Sequence, residues 1–354
     1  RDCHWKKQIR KMKLKNQIAF VTARSNEEML PNMRAVYDRT NGKKVVFTRM
    51  MPYDDEQMDA AIQTVYSSKV VVTDDYFYLC RKFGKKPGQK FVQLWHAAGA
   101  FKKFGMDGTA LFPEVDHLYH KDYDLVSVSG ENVRGIYAGA FGVEEDRVKA
   151  YGVPRTDKLL DAEYVSQVRK RIITEHPNLA GKQIILYAPT FRDGKGQDKH
   201  DFRPEMDFES LSGSLKENQV FLICPHPVMQ NRIVPGSYEN IIQVEDFTTN
   251  EMMCIADLLV TDYSSVIFEY SLLNKPMVFY CYDYDEYNRD FYLDYEKDLP
   301  GKLLRSYSEL EEYICKGDFN KADRAKEFRK RYMSACDGKS SERLARVLEK
   351  LLKE

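Results

Sequence analysis

The 354 residues contain no stretch approaching ~18 uninterrupted apolar side chains, which excludes a transmembrane helix. The seven cysteines (Cys3, Cys80, Cys224, Cys254, Cys281, Cys315 and Cys336) are odd in number and never spaced C-x-x-C. With Cys224 inside FLIC and Cys281 inside VFYCY, they read as small buried hydrophobes in a reducing compartment, not as disulfides or a zinc site. Neither sign of charge is in excess: 54 Lys+Arg meet 54 Asp+Glu. No global field therefore marks a nucleic-acid binder. No signal peptide is expected. G-x-x-x-x-G-K-[ST], G-x-G-x-x-G after a strand, H-E-x-x-H and G-x-S-x-G are all missing. Asp122-Tyr123-Asp124 and Asp283-Tyr284-Asp285 mimic a D-x-D metal motif. The first opens a strand and the second falls in a tyrosine-rich loop, so neither is expected to bind a catalytic metal. No cofactor is expected.

What is present is a soluble globular composition, 43% hydrophobic and 31% charged, which excludes a disordered chain. The length suggests about two domains of ~150 residues. Aromatics reach 12%, with 23 Tyr, a content common where sugars or lipid interfaces are met. The chain opens on Arg1 rather than Met, so the expectation is a fragment or processed chain with an upstream fused domain. Residues 1–16 carry seven Lys/Arg against one Asp, with Trp5 among them. Such a segment suits an anionic membrane surface; a solvated linker or helix end is the alternative.

From residue 17 short β-branched runs alternate with helix-like stretches. Strands are expected at 17–23, 44–49, 69–74, 90–96 and 124–130, with helices at 26–40, 55–67 and 131–140. A helix over 157–175 and a linker to 182 precede a second series: strands at 183–190, 220–227, 241–245, 257–263 and 276–282, helices at 206–217, 249–256 and 264–274. Helices at 307–316, 321–333 and 340–353 close the chain. Strands apolar throughout, alternating with helices, predict parallel sheets covered on both faces. The expected organisation is an α/β chain with a basic segment (1–16), an amino-terminal Rossmann-like acceptor-side domain (17–156), a connecting helix and linker (157–182), a carboxyl-terminal Rossmann-like domain (183–306) and a helical tail (307–354). The two α/β domains would face a central cleft.

Ligands of such sheets bind beyond the carboxyl ends of the strands, and five of those ends carry polar chemistry. The run KFVQLW ends in His96, followed by Ala-Ala-Gly-Ala and then Lys102 and Lys103. A histidine and lysines there could deprotonate a hydroxyl and hold a phosphate. QIILY leads to Thr190 and Arg192. VFLIC leads to His226, stiffened between Pro225 and Pro227 and suited to a phosphate donor or general acid. IIQVE leads to Thr248. DLLVT leads to Asp262-Tyr263-Ser264-Ser265, a strand-to-helix turn whose free N–H groups and two hydroxyls fit a phosphate. Helix capping is the competing role of the serines. Glu269, four residues past Ser265, could accept from ribose hydroxyls or simply form an ion pair. His4, His117, His120, His176 and His200 lack such settings and read as solvated or structural.

Taken together, Trp95-His96…Lys102…Gly105, APTFR, the His226-Pro227 pair and the long run VTDYSSVIFEYSLLNKPMVFYCYDYDEY with Leu299-Pro300-Gly301 resemble the CDP-glycerol:poly(glycerophosphate) glycerophosphotransferase family of teichoic-acid and capsule polymerases. The resemblance covers roughly residues 70–305. The sequence departs from the family's usual W-H-G-T-P, reading His96-Ala97-Ala98-Gly99-Ala100. The resemblance implies a GT-B-like fold and a CDP-glycerol or CDP-ribitol donor. It also implies a lipid-linked or oligosaccharide acceptor and peripheral attachment to the cytoplasmic membrane face; a homo-oligomer is compatible. It makes His96 the base, sets His226, Ser264 and Ser265 on the diphosphate, and assigns Glu269, with Asp262, to the ribose or cytidine. Thr190, Arg192 and Thr248 match as further phosphate contacts, and Lys102 and Lys103 belong to the acceptor side. An ordinary nucleotide-sugar GT-B glycosyltransferase and a non-catalytic polyanion-binding module are the competing readings.

Overall fold

The computed structural model describes residues 2–108, 112–192, 198–229, 231–287, 290–317, 319 and 323–354. The chain divides into two compact units, residues 1–158 with 331–354, and residues 159–330.

Unit 1 holds six strands: β1 (Lys15–Thr22), β2 (Lys44–Thr48), β3 (Ser68–Thr73), β4 (Lys90–Gln93), β5 (Leu125–Ser127) and β6 (Val148–Lys149). They form one parallel sheet in the order β2-β1-β3-β4-β5-β6. Its helices are α1 (Asp2–Lys11), α2 (Pro31–Arg39), α3 (Asp55–Tyr66), α4 (Tyr78–Phe83), α5 (Pro113–His120) and α6 (Arg134–Phe141). Local signals fix their starts: Pro31 occupies the first turn of α2, and Asp54 with Gln57 forms a reciprocal capping box on α3.

Unit 2 holds α7 (Ala162–Glu175), β7 (Gln183–Ala188), α8 (Phe208–Ser214), β8 (Gln219–Ile223), β9 (Ile241–Gln243), α9 (Thr249–Met253), β10 (Leu258–Thr261), α10 (Val266–Ser271), β11 (Met277–Tyr280), β12 (Lys302–Leu304), α11 (Tyr307–Lys316) and α12 (Asp323–Tyr332) up to Lys330, its last two residues being counted with unit 1. Its sheet is also parallel, ordered β12-β11-β10-β7-β8-β9. That order is the doubly wound Rossmann arrangement, with its reversal between β7 and β10. Unit 1 reverses between β1 and β3.

The last helix, α13 (Ser340–Lys353), returns to unit 1. Leu344, Leu348 and Leu352 recur every four residues, so they share one face. That face packs on Ile18, Phe20, Val70 and Val72 of the sheet and on Met33 and Val36 of α2. The tail expected at 307–354 is therefore divided: α11 stays with unit 2 and α13 completes the core of unit 1. The linker assigned to 157–182 belongs to unit 2 from Leu159 onward.

Most of the basic segment expected at 1–16 is α1. Trp5 is 9% exposed and Ile9 7%. The Trp5 indole N–H donates to Asp59 at 2.9 Å, and Lys82 lies 5.6 Å over its ring. Trp5 is thus a packing residue and not an interfacial anchor.

Candidate active site

Each unit places its sequence-predicted residues at the carboxyl ends of its own strands. In unit 1 the strand expected over 90–96 ends at Gln93, because the chain breaks from the ladder at Trp95, whose φ is +56°. A bulky residue in the left-handed region costs about 1–3 kcal/mol and persists only where neighbours hold it. They do. The Trp95 N–H donates to Gln93 Oε1 at 2.8 Å, and Asn32 Nδ2 donates to the Trp95 carbonyl at 3.1 Å. Arg155 Nη1 donates to the His96 carbonyl at 2.6 Å, and Tyr137 Oη donates to the Gly99 carbonyl at 2.7 Å. The indole packs against Phe104 and Phe141, at 5.2 and 5.1 Å between ring centres.

This frame aims His96. Its Nδ1 lies 3.2 Å from the Asp74 carbonyl oxygen. A carbonyl only accepts, so Nδ1 carries the proton and Nε2 keeps its lone pair. Burial depresses the His96 pKa to about 4; Asp75 pulls it up, and Arg24 and Arg155 push it down. The imidazole is therefore neutral near pH 7, the protonation state a general base requires. Lys102 is half-buried and Lys103 exposed, a few residues past the pinned turn. Gly105, the last motif position, is required by backbone: φ is +60°, and an added Cβ would meet the Ala140 carbonyl oxygen at 2.2 Å.

In unit 2 His226 is exposed after β8, 4.8 Å from the Phe191 ring. Its Nδ1 accepts from the Val228 N–H at 3.2 Å. A backbone N–H only donates, so Nε2 carries the proton and His226 presents a donor. The two histidines are thus set in opposite tautomers, one for taking a proton and one for giving a hydrogen bond.

Ser264 and Ser265 form the turn into α10, which is only six residues long. Ser264 Oγ accepts from the Val266 N–H at 3.3 Å, a capping bond. Ser265 makes no side-chain cap bond. Thr190 is 8% exposed, and its Oγ1 has no hydrogen-bond partner among the described residues. Glu269 is 5% exposed, one turn into α10.

Three assignments change. Asp262 has no exposure and does not face a ribose. Its Oδ1 accepts from the Thr190 and Tyr263 N–H groups at 2.8 and 2.7 Å, joining the ends of β7 and β10. Arg192 is committed to carboxylates and not to phosphate. It meets Asp262 at 2.9 Å and Asp283 at 2.6 Å, and its guanidinium lies 5.2–5.4 Å from the Tyr263, Tyr287 and Phe202 rings. A cavity of about 480 Å³ beside it is lined by Asp198, Asp201, Glu205, Asp283 and Glu286 against the two arginines Arg192 and Arg203, so acidic groups outnumber basic ones there. Thr248 is spent on the capping box of α9 with Glu251. The tyrosine-rich loop is structural: Tyr263 and Tyr287 stack at 3.6 Å, and Tyr263 Oη donates to Asp283 Oδ1 at 3.0 Å. Asp285 pairs with Arg305 and Asp124 with Lys85. Residues 193–197, which follow Arg192, lie outside the described residues.

The sequence profile of the CDP-glycerol:poly(glycerophosphate) glycerophosphotransferase family matches residues 8–350. The chain belongs to that family. The match reaches well beyond the 70–305 carried by the motifs alone. Among curated relatives, the teichoic acid poly(ribitol-phosphate) polymerase of Bacillus spizizenii is 39% identical over 78% of this chain and 46% of its own length. The ribitol-phosphate polymerase TarK of Staphylococcus aureus is 33% identical over 94% of this chain and 68% of its own. The teichoic acid glycerol-phosphate primase of Bacillus subtilis is 34% identical over 82% and 76%. The chain thus spans about half the length of the first of these. A solved structure of the wall teichoic acid polymerase TagF superposes with a TM-score of 0.82, covering all of this chain and 94% of that one at 23% identity. The UDP-GlcNAc 2-epimerase of Neisseria meningitidis follows at 0.59 and 10% identity, over 96% of this chain and 100% of that one. These likenesses establish a GT-B-like fold of two parallel-sheet α/β units.

Sequence reasoning missed Arg24, Asn32, Asp74, Asp75 and Arg155. No motif signals them; they become neighbours of His96 only through strand order.

Proposed function

We propose that the protein transfers a polyol phosphate from a CDP-polyol to an acceptor hydroxyl, releasing CMP, in the synthesis of a teichoic-acid-like polymer. What supports this is a strand-end histidine with a free Nε2 lone pair in unit 1 and, separately, a strand-end histidine with a donor Nε2–H in unit 2, in a chain matched by the family profile over 8–350. His96 Nε2 takes the acceptor proton as the oxygen attacks the β-phosphorus. The bond from that phosphorus to the bridging oxygen breaks, and CMP leaves with the electron pair. His226 Nε2–H, Ser265 Oγ–H and the backbone N–H groups of Ser264 and Ser265 bind the charge that develops. Glu269 accepts from a ribose hydroxyl, and Lys102 and Lys103 attract an anionic acceptor. Ribitol is the preferred polyol, because relatives named for ribitol phosphate span 33–39% identity and the glycerol-named ones 30–34%. The acceptor is lipid-linked, and the enzyme meets it at an anionic membrane surface through the exposed Lys6, Lys7, Arg10 and Lys11 of α1. Among the described residues no helix is long and apolar enough to cross a membrane.

The test is CMP release from CDP-ribitol, CDP-glycerol and UDP-sugars with a lipid-linked primer. Turnover of CDP-ribitol above CDP-glycerol, and none of UDP-sugars, is expected. Turnover of a UDP-sugar alone would replace this reading with glycosyl transfer, and no CMP release from either CDP-polyol would remove it.

A further inference from the structure

Unit 1 reverses its strand order between β1 and β3, the place where open α/β sheets gather ligands. Two charged side chains leave the sheet there and meet beside His96. Arg24 follows β1, and its Nη1 donates to Asp75 Oδ2 at 3.2 Å. Asp75 follows β3, and its Oδ1 lies 3.7 Å from His96 Nδ1, the nitrogen that already donates to the Asp74 carbonyl.

Asp75 is not a surface carboxylate that happens to pass by. Its Oδ1 accepts from the Tyr76 N–H at 2.7 Å. Its carbonyl accepts from Gln93 Nε2 at 3.2 Å, while Gln93 Oε1 accepts from the Trp95 N–H. One buried glutamine therefore ties the Asp75 backbone to the strained residue that presents His96. The carboxylate and the imidazole are held in one frame, with the arginine on the carboxylate's far oxygen.

We infer that Asp75 is a positioning residue for His96: it orients the ring through the Nδ1 side and stabilises the imidazolium formed when Nε2 takes the acceptor proton, with Arg24 as its counter-charge. The inference rests on the reading of His96 as the base. In the step, the hydroxyl proton moves to Nε2, Nδ1 keeps its own proton, and the new positive charge lies 3.7 Å from a fixed negative one. Arg24 tempers that attraction, so the ring gives its proton up again after CMP has left.

The charged and titratable groups facing His96 are Arg24 from the end of β1, Asp74 and Asp75 from the end of β3, and Arg155 beyond β6. Behind the Trp95 indole, Asp116 and His120 of α5 pair with each other at 2.9 Å. Of these, Asp75 favours the protonated ring, whereas Arg24 and Arg155 oppose it. Removing Asp75 or Arg24 therefore has opposite consequences, which a merely structural role does not produce.

The experiment follows the His96 ring signals by NMR titration in the full chain, for wild type, Asp75→Asn and Arg24→Gln, beside CMP release at saturating CDP-ribitol. Asp75→Asn should lower the His96 midpoint and kcat about tenfold, with KM for the donor unchanged; Arg24→Gln should raise the midpoint by about half a pH unit. Asp75→Glu, which keeps the charge, should recover part of kcat. Unmoved midpoints, or midpoints moved in the same direction by both variants, overturn the inference. The titration needs no substrate, so failure of wild type to turn over CDP-polyols would sink the proposed reaction while leaving this result readable on its own.

Discussion

His96 and Ser265 are the side chains whose chemistry the surrounding bonds leave most open to test. His96 is 28% exposed at the side chain, and burial is what holds its pKa near 4. The base must be neutral, so activity is retained above that pKa and lost below it. The acid limb of kcat/KM should therefore fall near pH 4 and not near the ordinary 6.5, which a rate profile with circular-dichroism controls for folding would show. His96→Ala should lower kcat by ~10²–10⁴ with donor affinity nearly intact, since the base is needed only in the transition state. The serines divide differently. Ser264 caps the turn and Ser265 does not. Ser265→Ala should cost only CDP-polyol and CMP affinity, by roughly 1.5–3 kcal/mol for a bond to a charged phosphate. Ser264→Ala should also cost about 1 kcal/mol of stability as a lost cap. Calorimetric titration and urea unfolding separate the two, and unchanged ligand affinity in Ser265→Ala would remove its phosphate role.

At the scale of elements, Arg192 joins the end of β7 to the turn after β10 and the loop after β11. Its partners Asp262 and Asp283 are 1% and 15% exposed at the side chain. Breaking a buried pair leaves an uncompensated charge. Arg192→Gln should therefore destabilise unit 2 by about 3–5 kcal/mol, read as a lower urea midpoint. A variant as stable as wild type, with donor affinity lost, would restore the phosphate role. The sequence made much of this architecture legible. Helices 307–316 and 340–353 match to the residue, because the Ser306–Glu309 capping box and the leucine repeat are local signals. The strands were read too long at their carboxyl ends, since Trp95-His96 and Pro225-His226 leave the ladder to carry chemistry. The edge strands β6 and β12 are two and three residues long and give no β pattern. His96, His226 and Ser265 were legible from position after a strand. Asp75 and Arg24 were not, because β1 beside β3 is a fact of sheet order, and the commitment of Arg192 to Asp283 spans 91 residues.

At the scale of the whole chain, the even charge count hides an asymmetry: residues 1–16 are positive by six, so the rest is negative by six. The structure changes how that asymmetry must be tested. Because Trp5 and Ile9 fix α1 against α3, deleting the segment would strip a packed helix and uncover α3. Lys6, Lys7 and Arg10 instead point to solvent, so reversing them to Glu alters the field and leaves the packed face alone. With Trp5 buried, α1 presents no exposed Trp, Tyr or Phe among its described residues, and its attraction rests on about 1 kcal/mol per Lys or Arg near an anionic surface. Lys6→Glu, Lys7→Glu and Arg10→Glu together should abolish co-sedimentation with phosphatidylserine-containing vesicles. Wild-type binding should weaken steeply as salt shortens the screening length below ~10 Å. CMP release with a soluble acceptor analogue should be unchanged, because none of the three residues lies at a strand end. Vesicle binding that survives both the triple reversal and high salt would place the attachment elsewhere in the chain. The outer face of α13, with the exposed Arg346 and Lys350, is the next surface to reverse.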